Sequence, residues 1–195
     1  MLCDLLQTRF SCRQFQDRSI PDDVVQKMLE AARLSPSGGN EQPWRFGVVT
    51  DPDLIAKIAD VSYKQRWITS APLLIVLCTC FVSDERGGRD IQKQRFPEYA
   101  ARFDVMEQDL YRALNQEEHQ TKIAGAHIAL AALEHGVHSC WVSRFEVAKV
   151  TELLHLPNDW MPSEILVFGY PEQQCDMAKK KPLQDIVFYN SLTNP

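Results

Sequence analysis

Residues 71–82 limit the fold more than any other part of the chain. Within them, residues 73–77 are unbroken apolar sequence, without the alternation of a strand that shows one face to water. Such a run belongs to a strand covered on both faces, so helices must lie above and below one sheet. The run is interrupted by Pro72, Cys78, Thr79 and Cys80. It falls short of the roughly 20 apolar residues that a membrane helix needs.

The flanking patterns supply those helices. Leu2–Thr8 reads as a short opening helix. Ile20-Pro21-Asp22-Asp23 has the form of a helix start, with proline preset for the first turn and aspartates at the positive end of the dipole. Val24, Val25, Met28, Leu29, Ala32 and Leu34 follow at helical spacing. That helix is predicted to end before Ser35-Pro36, because a residue preceding proline leaves the helical region. Residues 44–50 are rich in strand formers. Asp51-Pro52-Asp53 opens a helix carrying Leu54, Ile55 and Ile58. Residues 83–99 are charged, show little apolar pattern, and read as an exposed loop or lid. Helices are predicted over 100–114 and, more strongly, over the alanine-rich, nearly uncharged 120–135, which suits a central or subunit-interface position. Gly136 stops it. A strand over 137–142, a helix over 146–154 and a strand over 163–170 follow. Residues 186–189 are too apolar for a loose tail and are expected to pack on something, a partner subunit included.

This order describes an α+β or α/β sandwich, with helices covering a sheet. No G-x-G-x-x-G follows the first strand, which excludes a doubly wound nucleotide fold. The 195 residues suit a single domain, 1–195, with a lid or insertion at about 83–119. A net charge of −5 argues against nucleic-acid or anionic-membrane partners but permits a local basic pocket. The six cysteines (Cys3, Cys12, Cys78, Cys80, Cys140 and Cys175) form no C-x-x-C pair and no zinc spacing. They are expected to be buried, reduced thiols, with Cys78 and Cys80 on one strand face. With no basic-then-apolar leader in the opening residues, a cytoplasmic location is expected.

Three clusters carry chemistry. Arg9-Phe10-Ser11-Cys12-Arg13 offers two planar forks and a hydroxyl, suited to a phosphate or a carbonyl acceptor. The bland alternative is a solvated arginine pair. In Ser35-Pro36-Ser37-Gly38-Gly39-Asn40-Glu41-Gln42-Pro43-Trp44 the glycines let backbone N–H groups approach a ligand. Asn40 and Gln42 each donate and accept. An ordinary helix-to-strand turn is the alternative. Lys179-Lys180-Lys181-Pro182-Leu183 could close over a phosphate, or merely solubilise. No H-E-x-x-H or G-x-S-x-G is present, and His127 reads as a core or interface residue. Binding clusters without a nucleophile or base point to a bound cofactor that carries the reaction.

In this order the clusters resemble the nitroreductase family. Arg9-x-Ser11-x-Arg13-x-Phe15 is similar to its opening motif. Ala31-Ala32-Arg33-Leu34-Ser35-Pro36-Ser37-Gly38-Gly39-Asn40-x-Gln42-Pro43-Trp44-x-Phe46 is similar to its most specific one. Ala131-Ala132 with Gly136-Val137-His138-Ser139-Cys140-Trp141-Val142, Leu154-x-Leu156-Pro157, Gly169-Tyr170-Pro171 and Lys181-Pro182-Leu183-x-Asp185-Ile186-Val187 complete the pattern.

The resemblance implies an α+β sandwich with a mostly antiparallel central sheet flanked by helices. It also implies a homodimer whose C-terminal segment packs on the partner, FMN shared between subunits, and NAD(P)H as donor. By motif, Arg9 and Ser11 take the FMN phosphate and ribityl chain, and Arg13 the N1–C2 carbonyl edge. Pro36, Ser37 and Gly38 approach from the other subunit, with Asn40 and Gln42 near the ring. Lys180 takes the basic phosphate-binding place, with Lys179 or Lys181 as substitutes. Ser143 and Arg144 stand where the family often has Gly-Gly, and His138 where it often has glycine. Arg144 either adds a cation beside the flavin or narrows the pocket. The implied activity is reduction of nitroaromatic, quinone or similar electron-poor acceptors. Dehalogenation or flavin fragmentation on the same fold, and flavin binding without turnover, are the alternatives. No metal site is implied.

Overall fold

The computed structural model describes residues 2–80, 88–107, 110, 118–175 and 178–191. Its four strands, β1 (Trp44–Val49), β2 (Leu73–Cys80), β3 (His138–Val142) and β4 (Trp160–Gly169), form one antiparallel sheet in the order β1-β2-β4-β3. The helices are α1 (Leu2–Thr8), α2 (Asp22–Arg33), α3 (Pro52–Val61), α4 (Gly88–Arg95), α5 (Ala100–Val105), α6 (Glu118–Leu133) and α7 (Val147–Leu153).

The unbroken apolar run behaves as its composition requires. Leu73, Ile75 and Leu77 pack into one core with Met28 and Ala32 of α2 and Ala124 and Ile128 of α6. Leu74, Val76 and Cys78 pack into the other, with Ile55 and Ile58 of α3 and Val150 of α7. The alternation of side chains along β2 and β4 thus serves two layers at once. Asp51 caps α3 by accepting from the Asp53 amide at 3.0 Å, with Pro52 in the first turn. Gly125 lets α6 lie close on the sheet, since a Cβ there would run into Leu77 and Trp141. Gly136, at φ +70°, ends the segment after α6.

Three expectations need correction. Residues 83–99 are not loop throughout: 88–95 form α4, and 97–99 a short 3-10 turn. The helix is rich in charge and poor in apolar residues, with Lys93 paired to Asp90 at 3.3 Å and to Asp104 of α5, so no apolar period marks it. Residues 83–87, 108–109 and 111–117 of the expected lid lie outside the described residues. The helix expected over 100–114 stops at Val105, where Met106 turns extended. Of the six cysteines, Cys3 and Cys175 are exposed, Cys80 is half-buried, and only Cys12, Cys78 and Cys140 are buried. The apolar tail finds no cover within its own chain: Ile186, Val187, Phe188 and Tyr189 are all exposed.

Gly169 at the end of β4 sets where the N-terminal segment lies. Phe15, 2% exposed, packs over it, and a Cβ at Gly169 would stand 2.6 Å from Phe15 Cδ1 and 2.9 Å from Cγ. Gly169→Ala is therefore expected to cost about 1–3 kcal/mol by overpacking. A fall in the urea midpoint of that size checks it; an unchanged midpoint means Phe15 is free to move.

Candidate functional site

Residues 9–16 run along the outer edge of β3. Ser11 bridges Ser139 in parallel, and the Cys12 amide donates to the Ser139 carbonyl at 3.1 Å. Farther on, Phe15 bridges Pro171 and the Gln16 amide donates to the Tyr170 carbonyl at 2.8 Å. Phe10, Cys12 and Phe15 are buried, so the alternation of an extended segment turns Ser11 and Arg13 outward. Ser11, Arg13, Trp67 and Cys175 share the wall of a cavity of about 370 Å³.

Residues 63–67 tie this segment to the turn after β3. The Arg13 guanidinium lies over the Trp67 ring at 5.8 Å, and the Arg144 guanidinium over Tyr63 at 4.5 Å. Gln65 Nε2 donates to the Arg144 carbonyl at 3.1 Å. Tyr63 and Lys64 adopt φ of 56° and 58°, left-handed backbone that non-glycine residues keep only where surroundings hold it. From beneath, the Ser143 hydroxyl donates to Glu164 Oε1 at 2.8 Å, which also receives Lys122 Nζ at 3.1 Å.

The electrostatics favour an anion. Among the described residues, none of Arg9, Arg13 and Arg144 has a carboxylate partner. His138 is buried 4.4 Å from the Phe10 ring, and its Nδ1 has no hydrogen-bond partner. Burial, helped by the Arg9 charge, holds its pKa below the ordinary histidine value. Burial raises the Cys140 thiol, against Arg13, Arg9 and a hydrogen bond from Ser11. Among the described residues no group of three or more His, Cys, Asp or Glu could hold a metal.

The second cluster lies elsewhere in the chain. Gly39, Asn40 and Gln42 take φ of 56°, 57° and 51°, a tight left-handed turn between α2 and β1. The Gly38 amide donates to Gln120 Oε1 at 2.7 Å, and the Gln42 amide to Ser37 Oγ at 2.9 Å. Ser35 Oγ lies 2.6 Å from His127 Nδ1. All of this anchors the turn to α6 and to itself. Pro36, Gly38, Asn40 and Gln42 remain exposed and Ser37 half-buried.

The sheet separates the two clusters. Ser11 stands outside β3, in the row of Ser139, Phe168 and Leu73. The second cluster leads into Trp44, on the opposite edge strand, in the row of Thr79 and Met161. Strand spacing and rise put these corners on the order of 25 Å apart. Lys179, Lys180 and Lys181 are exposed, and none is among the described residues that line the cavity.

Sequence reading passed over Tyr63, Gln65, Trp67, Lys122 and Glu164. Glu164 left a visible trace, a lone carboxylate inside an apolar strand. The 63–67 turn left only a tyrosine and a tryptophan between a helix and a strand. A larger cleft, about 850 Å³, lies between α2, the outer edge of β1 and residues 16–20, and holds none of the predicted site residues.

The family model described as the nitroreductase family matches residues 6–170. An oxygen-insensitive NADPH nitroreductase of Helicobacter pylori is 32% identical over 165 residues, covering 77% of each chain. An FMN-dependent nitroreductase of Clostridium difficile superposes with a TM-score of 0.72 at 22% identity, over 96% of this chain and 98% of that one. The NADPH:FMN oxidoreductase of Vibrio harveyi, solved with NAD+, superposes with a TM-score of 0.78 at 20% identity, over all of this chain and 79% of that one. These two structures share the fold.

Two outcomes follow from the burial pattern. Cys3 and Cys175 should alkylate first at neutral pH, and Cys78, pushed up to about 12 by burial, last; timed peptide mapping after iodoacetamide reads the order. His138, depressed in the folded chain, contributes stability that is present above the ordinary histidine pKa of 6.5 and lost as pH falls through the folded value. Urea midpoints should drop below about pH 6.5, and less so in His138→Gln. Equal acid limbs would show that His138 charges freely.

Proposed function

Because the chain belongs to the nitroreductase family, we propose that it is an FMN-dependent oxidoreductase that takes hydride from NAD(P)H and reduces electron-poor small molecules such as nitroarenes and quinones. One observation carries this reading. Residues 63–67 join Arg13 to the Ser143–Arg144 turn across a surface where no described carboxylate answers the arginines. That donor set fits the group: guanidinium forks and a hydroxyl for a phosphate and polar ring edge, and an indole for a flat apolar ring. When bound, FMN supplies the two-electron transfer between donor and acceptor.

The protein supplies position and charge. Arg9 and Ser11 hold the phosphate and ribityl chain, fixed by the pairing of residues 11–12 with Ser139. Lys180, or Lys179 or Lys181 beside it, joins them. Arg13 sets a fixed cation where negative charge develops on reduction. Ser143 and Arg144 flank the reacting edge, and Arg144 narrows the approach and adds a cation for the acceptor. Pro36, Ser37, Gly38, Asn40 and Gln42 belong to the neighbouring site. Their place at the opposite corner of the sheet supports a site completed by a second copy. The exposed tail at 186–189, and the cleft beside the unpaired edge of β1, support a homodimer in which each tail covers the other chain. The segment at about 83–119, with α4 and α5 cross-linked through Lys93, borders the substrate as a lid. Free thiols suit a reducing cytoplasm.

Purified protein should take up FMN, bleach with NAD(P)H, and regain its yellow colour with a nitroarene or quinone. Loss of one charge-assisted contact in Arg9→Ala should weaken FMN by roughly tenfold to a hundredfold, leaving riboflavin affinity unchanged. Fluorescence titration measures both. A folded protein that never takes up FMN sinks the reading, and equal losses for FMN and riboflavin would remove Arg9 from the phosphate.

A further inference from the structure

Strand β4 carries one residue more than β2 at its outer end. Leu77 pairs with Glu164 while the next residue, Cys78, pairs with Pro162, leaving Ser163 as the extra one. In a regular strand, Ser163 and Glu164 would face opposite sides of the sheet. The bulge turns both toward α6, and bulges commonly re-aim side chains in this way. The Ser163 and Thr79 hydroxyls lie 3.0 Å apart, and Thr79 donates to Thr121 at 2.8 Å. One residue on, Glu164 meets Lys122 and Ser143.

Glu164 is 4% exposed, and both of its partners reach Oε1. Its buried Oε2 has no partner. A carboxylate kept this dry and half-satisfied is a poor device for stability, because an apolar residue of similar volume commonly serves as well. Its place suggests another use. Its contact with Ser143 puts it directly under the turn that, on the proposed reading, faces the flavin.

Resting on that reading, we propose that Glu164 and Lys122 form a charge pair of opposed effect. Glu164 positions Ser143 and resists negative charge on the flavin seated above it, while Lys122 favours that charge. Glu164 is desolvated and acts nearly unscreened, whereas Lys122 is 36% exposed and partly screened by water. The pair therefore sets the reducing tendency of the bound cofactor, with the carboxylate dominant.

The test compares FMN-loaded wild type, Glu164→Gln, Lys122→Met and the double variant. Midpoint potentials are measured by dye equilibration and FMN affinities by fluorescence. Glu164→Gln keeps an acceptor for Ser143, so its potential should rise. The reduced-to-oxidised ratio at a fixed potential should increase threefold to tenfold, where tenfold is about 30 mV for two electrons. Lys122→Met should shift the ratio the other way by a smaller factor, and the double variant should fall between the two. A brace with no electrostatic role would move both single variants together or leave the potentials alone, and either result in FMN-binding protein overturns the proposal. Should Glu164→Gln fail to fold, Lys122→Met decides alone: no downward shift rejects the pairing. Wild-type protein that binds no FMN would reject the functional reading, a separate result visible before any variant is made.

Discussion

The pairing of β2 with β4 is the constraint on which the rest of the molecule depends. These two strands are buried on both faces and flanked by β1 and β3, so their backbone groups are consumed by neighbours and their side chains by two cores. A sheet closed in this way has no face to offer a ligand. Binding groups can stand only beyond its edges or at its ends. Residues 9–16 lie beyond one edge, residues 63–67 and 143–144 at one set of ends, and residues 36–42 at the entry to the other edge.

Charge is handled differently inside and outside these places. On the helices, Asp23–Lys27, Glu30–Arg33 and Glu146–Lys149 are local, solvated pairs of three or four residues' spacing, each worth little to stability. Arg13 and Arg144 instead lie over aromatic rings, Trp67 and Tyr63, with their charge unanswered among the described residues. A chain of net charge −5 can therefore present a cationic surface where a ligand is held. The single buried carboxylate found nearby, Glu164, is matched by Lys122 rather than by these arginines.

Much of the scaffold was legible because burial selects apolar residues. The 22–33 helix, with Val24, Met28 and Ala32 on its inner side, follows from spacing, the two-faced strand from an unbroken apolar run, and the central helix from its alanine-rich, nearly uncharged composition. α4 was not legible, since it carries charged and polar residues, with Lys93 paired to Asp90 and Asp104, rather than an apolar stripe. The arginine–serine segment and the glycine turn were visible as residue types. Their surroundings were not: Trp67 reaches Arg13 and Gln120 reaches Gly38 across the fold, and no local pattern encodes that approach. The bulge that delivers Glu164 to α6 is likewise a matter of strand register, which depends on β2 as much as on β4.

The first turns of α6 bear on both halves of the arrangement. Gln120 accepts from Gly38, Thr121 joins the hydroxyls at the bulge, and Lys122 pairs with Glu164, which holds Ser143. In the proposed dimer Gly38 and Ser143 of one chain serve different sites, because the sheet holds their clusters apart. Three consecutive residues therefore brace one loop for each site. The helix behind them has little room to shift, since Gly125 is already in close contact with Leu77 and Trp141. Loops at opposite edges of a sheet would ordinarily vary independently. Here their common anchor on one tightly packed helix makes the geometry of each site depend on the same few contacts.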